Sequence, residues 1–225
     1  MPFAIRTTIV LAGLLYAHGM ATTSAAAQAH ASPLQGQQVI LVTGSTSGLG
    51  REVALRMGAQ GAHVIVHGRD EARGLAVVEE INSGAGSARF YSADFASFDN
   101  VRSLAASILR DYDRLDFLVN NAGFGSAPDE RWVSEDGHEF RFQVNYLAPF
   151  LLTTLLKERI ISSAPSRIVN VSSLAQSPID WEDVMIENNF SGGRAYGQSK
   201  LAQIGHTFDL HEELSELGVL SNSLH

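Results

Sequence analysis

The chain contains no cysteine, which excludes disulfide scaffolds, thiolate zinc sites and cysteine nucleophiles. Its eight histidines are scattered and form no HExxH or similar cluster, so we expect no metal site. The net charge is −8 and no basic patch is present, which argues against a nucleic-acid partner. The 225 residues are 45% hydrophobic and 18% charged, a composition typical of one soluble globular domain.

Residues 1–36 lack an apolar run long enough to span a bilayer. The run from Ile9 to Ala17 is preceded by a basic residue and followed by Ala27-Gln28-Ala29, which resembles a cleavage site, so the segment has the form of an export signal. The alternative is a misplaced start, with Met20 beginning the chain before a short disordered tail. A real signal predicts an exported or membrane-associated protein, and otherwise we expect a cytoplasmic one. In both cases the folded domain is expected at 37–225.

A glycine-rich turn separates the first predicted strand, Val39–Val42, from a helix, and a second strand follows at His63–His67. Gly44, Gly48 and Gly50 would permit a sharp turn, close approach of a pyrophosphate and tight helix packing, with phosphates meeting the N–H groups of the helix N-terminus. The turn lacks the Gly-Lys-Ser/Thr of a Walker loop, and the centre of its GSTSG sequence is threonine, which excludes a nucleophile elbow. We therefore favour dinucleotide binding over a glycine-rich surface turn.

No acidic residue ends the second strand. An acidic side chain there would bind the ribose hydroxyls of NAD and repel a 2′-phosphate. The chain instead has His67, Gly68 and Arg69, with Asp70 just beyond. Because arginine pairs well with phosphate, this end predicts a preference for NADP over NAD. The alternative is that Arg69 is a solvated loop residue.

Strands and helices alternate through the rest of the chain. We predict strands near 87–94, 114–123, 166–173 and 218–225, and helices near 98–112, 139–160 and 195–217. This alternation predicts an α/β fold with a doubly wound parallel sheet in a single domain. Small or polar residues follow the strands at Asp94, Asn120–Gly123, Ser172 and Ser173. Ligands bind beyond the carboxyl ends of such strands, so we expect these residues at one edge, although each could also be an ordinary turn residue.

Tyr196 and Lys200 are four residues apart, which places both on one face of a helix. A lysine charge about 5 Å from a phenol, at an effective dielectric of ~20, stabilises the phenolate by about 3 kcal/mol. Such a pair can serve as an acid/base near neutral pH. A solvated helix face is the alternative.

Pro149 lies inside the predicted helix at 139–160. It has no N–H for the carbonyl of Asn145, so we expect a kink and a freed carbonyl there. A buried free carbonyl needs a partner such as water, and a tolerated kink without function is the alternative.

Together these motifs resemble the short-chain dehydrogenase/reductase family over about residues 37–225. The resemblance is carried by Thr43-Gly44-x-x-x-Gly48-x-Gly50, Asn120–Gly123, Asn145, Ser173 and Tyr196-x-x-x-Lys200. The stretches QVNYLAPFLLT, SRIVNVSSLA and YGQSKLAQI are similar to its retinol-dehydrogenase-like and WW-domain-oxidoreductase-like branch.

The resemblance implies a Rossmann-type fold and an NADP-dependent oxidoreductase that transfers hydride between nicotinamide and an alcohol or carbonyl substrate. Lipophilic alcohols and carbonyls are among the substrates it implies. It implies that Tyr196 is the general acid/base, Lys200 binds the nicotinamide ribose, Ser173 holds the substrate oxygen, and Asn145 holds a water through its main-chain carbonyl. The implied cofactor-binding residues are Thr43, Gly44, Ser45, Ser47, Gly48, Leu49, Gly50, Arg69, Asp94, Phe95, Asn121, Ala122, Gly123, Tyr196 and Lys200. A homodimer or homotetramer also fits the family.

The family normally continues past this sequence with Pro-Gly, a substrate-covering loop, a helix and a seventh strand. We therefore expect a chain that lacks the last family strand and helix, exposes a sheet edge and self-associates. We expect an intact cofactor site with weak or no turnover. The alternative function is a dinucleotide-binding regulator or an inactive truncated pseudoenzyme. A serine hydrolase using Ser173 is disfavoured because no His/Asp partner pattern accompanies it.

Overall fold

The computed structural model describes residue 33 and residues 35–225, so the predicted signal lies outside the described residues. This part of the chain forms a six-stranded sheet in the order β3-β2-β1-β4-β5-β6, and all neighbouring strands run parallel. The strands are β1 Val39–Val42, β2 His63–Gly68, β3 Ser87–Ser92, β4 Phe117–Asn120, β5 Ser166–Val171 and β6 Val219–Leu224. The predicted α/β fold with a doubly wound parallel sheet is confirmed.

A helix connects each pair of consecutive strands. The helices are α1 Gly48–Ala59, α2 Glu71–Asn82, α3 Phe98–Asp111, α4 Ala148–Ser162 and α5 Gly192–Leu214, and a 3-10 turn, Ser215–Leu217, follows α5. Helix α2 adds to the predicted elements, and Asp70 caps it by accepting the N–H of Arg73 at 3.0 Å. No helix among the described residues is both long and apolar enough to cross a membrane.

The sheet is buried between two layers of helices. Val39 and Leu41 of β1 pack in the core on the side of α3, α4 and α5, whereas Ile40 and Val42 pack on the side of α1 and α2. Burial on both faces explains why β1 is apolar throughout instead of alternating. Because β1 and β4 are neighbours from which the two halves of the sheet diverge, a crevice opens beyond their carboxyl ends.

The predicted helix at 139–160 contains an irregular segment that precedes its proline. A short α-helical turn, Phe140–Phe142, leads into a π-helical segment, Gln143–Leu147, which α4 continues. The N–H of Ala148 bonds the carbonyl of Gln143, five residues back. Pro149 is the second residue of α4, and the widened π-helical turn directly precedes this proline, which has no N–H to donate to the carbonyls of that turn. Asn145 lies within this π-helical segment, a kind of irregularity that often marks functional sites.

Candidate active site

The turn between β1 and α1 forms one wall of a cleft of about 290 Å³ at the carboxyl edge of the sheet. Gly44 has φ +65°, and a Cβ there would lie 2.8 Å from the Cα of Ala122. A Cβ on Gly50 would overlap the carbonyl of Gly44 and the amide of Asn121. Gly48 has φ +56° and open space around it. The backbone of this turn is thus closely packed on one side and open on the other. The turn leads into the N-terminus of α1, whose free N–H groups can bind an anion.

Thr43 joins this turn to the segment after β4. Its hydroxyl donates to the carbonyl of Val119 at 3.2 Å and accepts the N–H groups of Asn121 and Ala122, both at 3.0 Å. The Asn121 amide in turn donates to the carbonyls of Thr43 and Gly44 at 2.9 and 3.2 Å. Thr43 is fully buried, so the structure places it behind the wall of the cleft.

His67 holds the same turn from the end of β2. Its carbonyl accepts the N–H of Ser45 at 2.8 Å, and its own N–H donates to the Ser45 hydroxyl at 3.0 Å. Its Nδ1 accepts the N–H of Gly44 at 3.2 Å, and its ring stacks on Phe95 with centroids 4.6 Å apart. Burial lowers the pKa of His67 to about 4, so Nδ1 stays available as an acceptor at neutral pH. Ser45, like Thr43, is a buried support of the turn.

Most of the predicted cofactor-binding residues lie together along this cleft. They are Gly44, Ser47, Leu49, Gly50, Arg69, Asp94, Phe95, Asn121, Ala122 and Gly123. The cleft is also lined by residues that the sequence analysis did not assign, namely Thr46, His67, Gly68, Ala93, Phe124, Phe140 and Val144. Most of these adjoin a predicted residue and could have been inferred from that position. Phe140 and Val144 come from the segment before α4, and no motif signals them.

Arg69 and Asp94 face each other in this cleft, with Nη1 3.4 Å from Oδ2 and side chains 64% and 40% exposed. An exposed pair of this kind contributes little stability, so the guanidinium can exchange its partner for another anion. The other oxygen of Asp94 accepts the N–H of Ala96 at 3.0 Å, which fixes the carboxylate.

Helix α5 brings Tyr196 and Lys200 onto one face, with Nζ 5.8 Å from the centre of the tyrosine ring. Lys200 is only 4% exposed, and burial lowers its pKa to about 8, so it is mostly protonated at pH 7. Its Nζ donates to the carbonyl of Val171 at 2.7 Å and to Oε1 of Gln203 at 3.2 Å. A Cβ on Gly123 would lie 3.7 Å from this nitrogen, so the ammonium sits beside a glycine that lines the cleft.

The side chain of Asn145 joins three parts of the chain at the same place. Its amide donates to the carbonyl of Phe124 at 3.0 Å and to the hydroxyl of Ser199 at 2.9 Å, and its oxygen accepts the N–H of Phe124 at 2.7 Å. The side chain is fully buried and supports the wall of the cleft. The predicted role of Asn145 uses its main-chain carbonyl and stays a prediction.

Ser173 follows β5, and its hydroxyl accepts the N–H of Ala175 at 3.0 Å. The loop after Ser173 packs directly on helix α5 beside Tyr196, because a Cβ on Gly197 would lie 2.8 Å from the backbone nitrogen of Ser177. The loop that carries Ser173 is thereby attached to the helical turn that carries Tyr196. The catalytic roles predicted for these residues stay predictions.

Residues 38–225 match the family model for short chain dehydrogenases. The chain belongs to the short-chain dehydrogenase family. Among its relatives, mouse retinol dehydrogenase 13 is 38% identical over 193 residues, which cover 84% of this chain and 57% of that protein. Human retinol dehydrogenase 11 is 38% identical over 192 residues, which cover 84% of this chain and 60% of that protein. This short-chain dehydrogenase thus spans less than two thirds of the length of either relative.

A solved structure supports the same family assignment. The crystal structure of a metagenomic short-chain oxidoreductase in complex with NADP superposes with a TM-score of 0.69 and is 31% identical. The match covers 83% of this chain and 81% of that one. The predicted resemblance to short-chain dehydrogenases is therefore confirmed.

Proposed function

We propose that this short-chain dehydrogenase is an NADP-preferring oxidoreductase that acts on an alcohol or its carbonyl, with Tyr196 as the general acid/base. The observation that carries the proposal is the placement of the Lys200 ammonium 5.8 Å from the Tyr196 ring and beside Gly123. Gly123 lines the same cleft as the glycine-rich turn. An acid/base pair and a dinucleotide-type turn therefore serve one site.

The cleft fits a dinucleotide. Gly44 and Gly50 have no room for a Cβ, and the first turn of α1 offers N–H groups where the phosphates would lie. Arg69 would hold the 2′-phosphate of NADP by a charge-assisted hydrogen bond, and Asp94 would accept from the adenine amino group. When bound, the nicotinamide supplies or accepts the hydride.

The remaining chemistry belongs to the protein. In reduction the phenol of Tyr196 donates a proton to the carbonyl oxygen, and in oxidation the phenolate takes the proton of the alcohol. The Lys200 ammonium, whose Nζ lies 5.8 Å from the centre of the Tyr196 ring, would supply a nearby positive charge to this reaction. The hydroxyl of Ser173 would donate a hydrogen bond to the same substrate oxygen and orient it.

The surroundings of the cleft favour an apolar substrate. Phe124, Trp132 and Phe140 form an aromatic cluster with ring centroids 5.1 to 5.9 Å apart, and Phe124 and Phe140 line the cleft. Two relatives carry the name retinol dehydrogenase. Retinol and retinal are therefore the first alcohol and carbonyl to test.

Fluorescence titration with NADPH and NADH, combined with turnover assays, tests the proposal. We expect NADPH to bind more tightly than NADH, and Arg69→Glu to reverse that preference. Tyr196→Phe should still bind NADPH and should lower turnover roughly 10²–10⁴-fold. Binding without turnover in either protein would favour the dinucleotide-binding regulator, and absence of NADPH binding would contradict both functions.

A further inference from the structure

The buried amide of Gln203 on helix α5 contacts Lys200. Gln203 follows Lys200 in sequence, whereas Tyr196 precedes it. Gln203 lies three residues after Lys200, on the same face of the helix, and is 1% exposed. Its Oε1 accepts a hydrogen bond from Lys200 Nζ at 3.2 Å, and the same nitrogen donates to the carbonyl of Val171 at 2.7 Å. Because an ammonium has three hydrogens, these two bonds leave one for the cleft.

The amide of Gln203 can adopt only one of its two orientations. In the flipped orientation its NH₂ group would face the Lys200 ammonium, donor against donor. In the observed orientation its Nε2 is buried and has no hydrogen-bond acceptor among the residues that the structure describes, which costs stability. A methionine would fill the same space without that cost, so folding alone does not account for a glutamine here.

Among the described residues, Gln203 is the side chain that accepts a hydrogen bond from this ammonium. Strand β5 presents the carbonyl of Val171, and the segment after β4 presents Gly123, neither of which titrates. Tyr196 on the same helix is a titratable neighbour. Burial lowers the pKa of Lys200 to about 8, and an acceptor oxygen opposes this effect because it stabilises the charged form.

We propose that Gln203 is a positioning residue that acts through Lys200, keeping its Nζ protonated and fixed between β5 and α5 so that the remaining N–H is directed at the Gly123 end of the cleft. The inference rests on the proposed function, since it takes Lys200 as part of the acid/base site. It concerns the cofactor-free protein as well, where it can be tested separately.

The chain contains two lysines, Lys157 and Lys200, so NMR of ¹³C-labelled lysine side chains can follow each of them. Lys157 pairs with Glu213 at 2.6 Å on the surface and serves as the internal reference. In the cofactor-free protein we expect the Lys200 titration midpoint near pH 8. Gln203→Met should lower this midpoint by about one pH unit or more, and Gln203→Glu should raise it.

Gln198→Met is the matched control. Gln198 is an equally buried amide on α5, but it bonds the carbonyl of Val184 at 2.7 Å and the N–H of Asp180 at 3.0 Å. Replacing Gln198 by methionine should leave the pH midpoint of the Lys200 titration unchanged. If the midpoint in Gln203→Met and Gln203→Glu also stays within the change seen for Gln198→Met, the proposal is wrong.

Two further measurements keep the outcome decisive. If Gln203→Met does not fold, Gln203→Asn replaces it, because the shorter amide withdraws its oxygen from Nζ and should also lower the midpoint. NADPH titration of the same proteins separates the two proposals. A midpoint that moves as expected in a chain that binds no NADPH would contradict the proposed function and leave the positioning of Lys200 standing.

Discussion

Gly50 is the residue of the glycine-rich turn with the least room for a side chain. An added methyl group would overlap the carbonyl of Gly44, which is backbone, and the amide of Asn121, which two hydrogen bonds hold in place. We expect Gly50→Ala to destabilise the fold by about 1–3 kcal/mol through overpacking. NADPH affinity should fall at least ~10-fold, since the turn that would bind phosphate must shift. Urea unfolding and fluorescence titration measure the two effects.

Gly205→Ala is the control for that substitution. Gly205 lies exposed inside helix α5, and a Cβ there would meet no atom within 4 Å. Alanine should stabilise the helix by about 0.5–1 kcal/mol and leave NADPH binding unchanged. If Gly50→Ala binds NADPH as tightly as the unmodified chain, the phosphates do not lie at this turn.

His63 is buried in β2, with Nδ1 2.7 Å from the hydroxyl of Ser87 and Nε2 3.1 Å from that of Tyr112. Burial, with the nearby charge of Arg89, lowers the pKa of His63 from 6.5 to about 4. As pH falls through 6.5 the unfolded chain binds a proton that the folded chain does not bind until about pH 4. The free energy of unfolding therefore decreases as the pH is lowered from 6.5 to 4. At pH 5 His63 accounts for a decrease of about 2 kcal/mol.

Urea unfolding at pH 7 and pH 5 measures this effect. His63→Gln, which does not titrate, should lose about 2 kcal/mol less between the two pH values than the unmodified chain. His211→Gln, a change on the exposed face of α5, should lose as much as the unmodified chain. An identical loss in His63→Gln and the unmodified chain would show that His63 is not responsible.

The sequence predicted those site residues whose position follows from the backbone alone. Gly44, Asp94 and Gly123 follow the ends of strands, and parallel strands bring their carboxyl ends to one edge. His67 and Gln203 act through side-chain atoms that reach a different segment or a charged neighbour. Neither spacing nor composition states which way a ring or an amide turns, so these two contacts could not be predicted.

At the scale of elements, the apolar runs predicted each strand, but the ends of strands and helices differ from the predicted ones by up to three residues. Helix α5 begins at Gly192, three residues before the predicted start, because Ser191 caps it by accepting the N–H of Arg194. The π-helical segment Gln143–Leu147 could not be predicted either. The bonds of Asn145 within that segment reach Phe124 and Ser199, which lie far away in sequence.

Arg141 is a further buried residue that the sequence analysis did not single out, and it organises the connection after β4. Its guanidinium is fully buried and lies 3.4 Å from the carboxylate of Glu139. It donates to the backbone carbonyls of Gly125, Ser126, Pro128 and Glu130. Because four carbonyls converge on one side chain, the segment 125–130 adopts a single path next to Phe124 of the cleft.

We expect Arg141→Lys to destabilise the fold by about 3 kcal/mol or more, since an ammonium cannot reach four carbonyls and a buried carboxylate at once. Segment 125–130 should become sensitive to proteolysis, which limited digestion with mass spectrometry detects. Arg102→Lys, on the exposed face of α3, should stay within about 0.5 kcal/mol. Equal stability of the two variants would contradict the role given to Arg141.

At the scale of the whole molecule, the helices cover the two faces of the sheet unequally. On the face of α1 and α2, the strand register pairs Val171 of β5 with Leu224 of β6, whereas Val169 lies opposite Asn222 and Leu220 opposite Arg167. Leu220 and Leu224 are 40% and 47% exposed. The fold class follows from the alternation of apolar strands and helices, but this uneven coverage appears only once strand order and register are known.

Leu220 and Leu224 are exposed on the edge strand β6, which favours association between copies, so we expect the mass measured by size-exclusion chromatography with light scattering to rise with protein concentration. Leu220→Lys with Leu224→Lys should remove most of that rise, because two charges would then repel their counterparts in a second copy. Leu217→Lys is the control, since Leu217 is 50% exposed but lies in the 3-10 turn outside the sheet. A rise that persists in the double variant would place the association on another surface and exclude a part for Leu220 and Leu224.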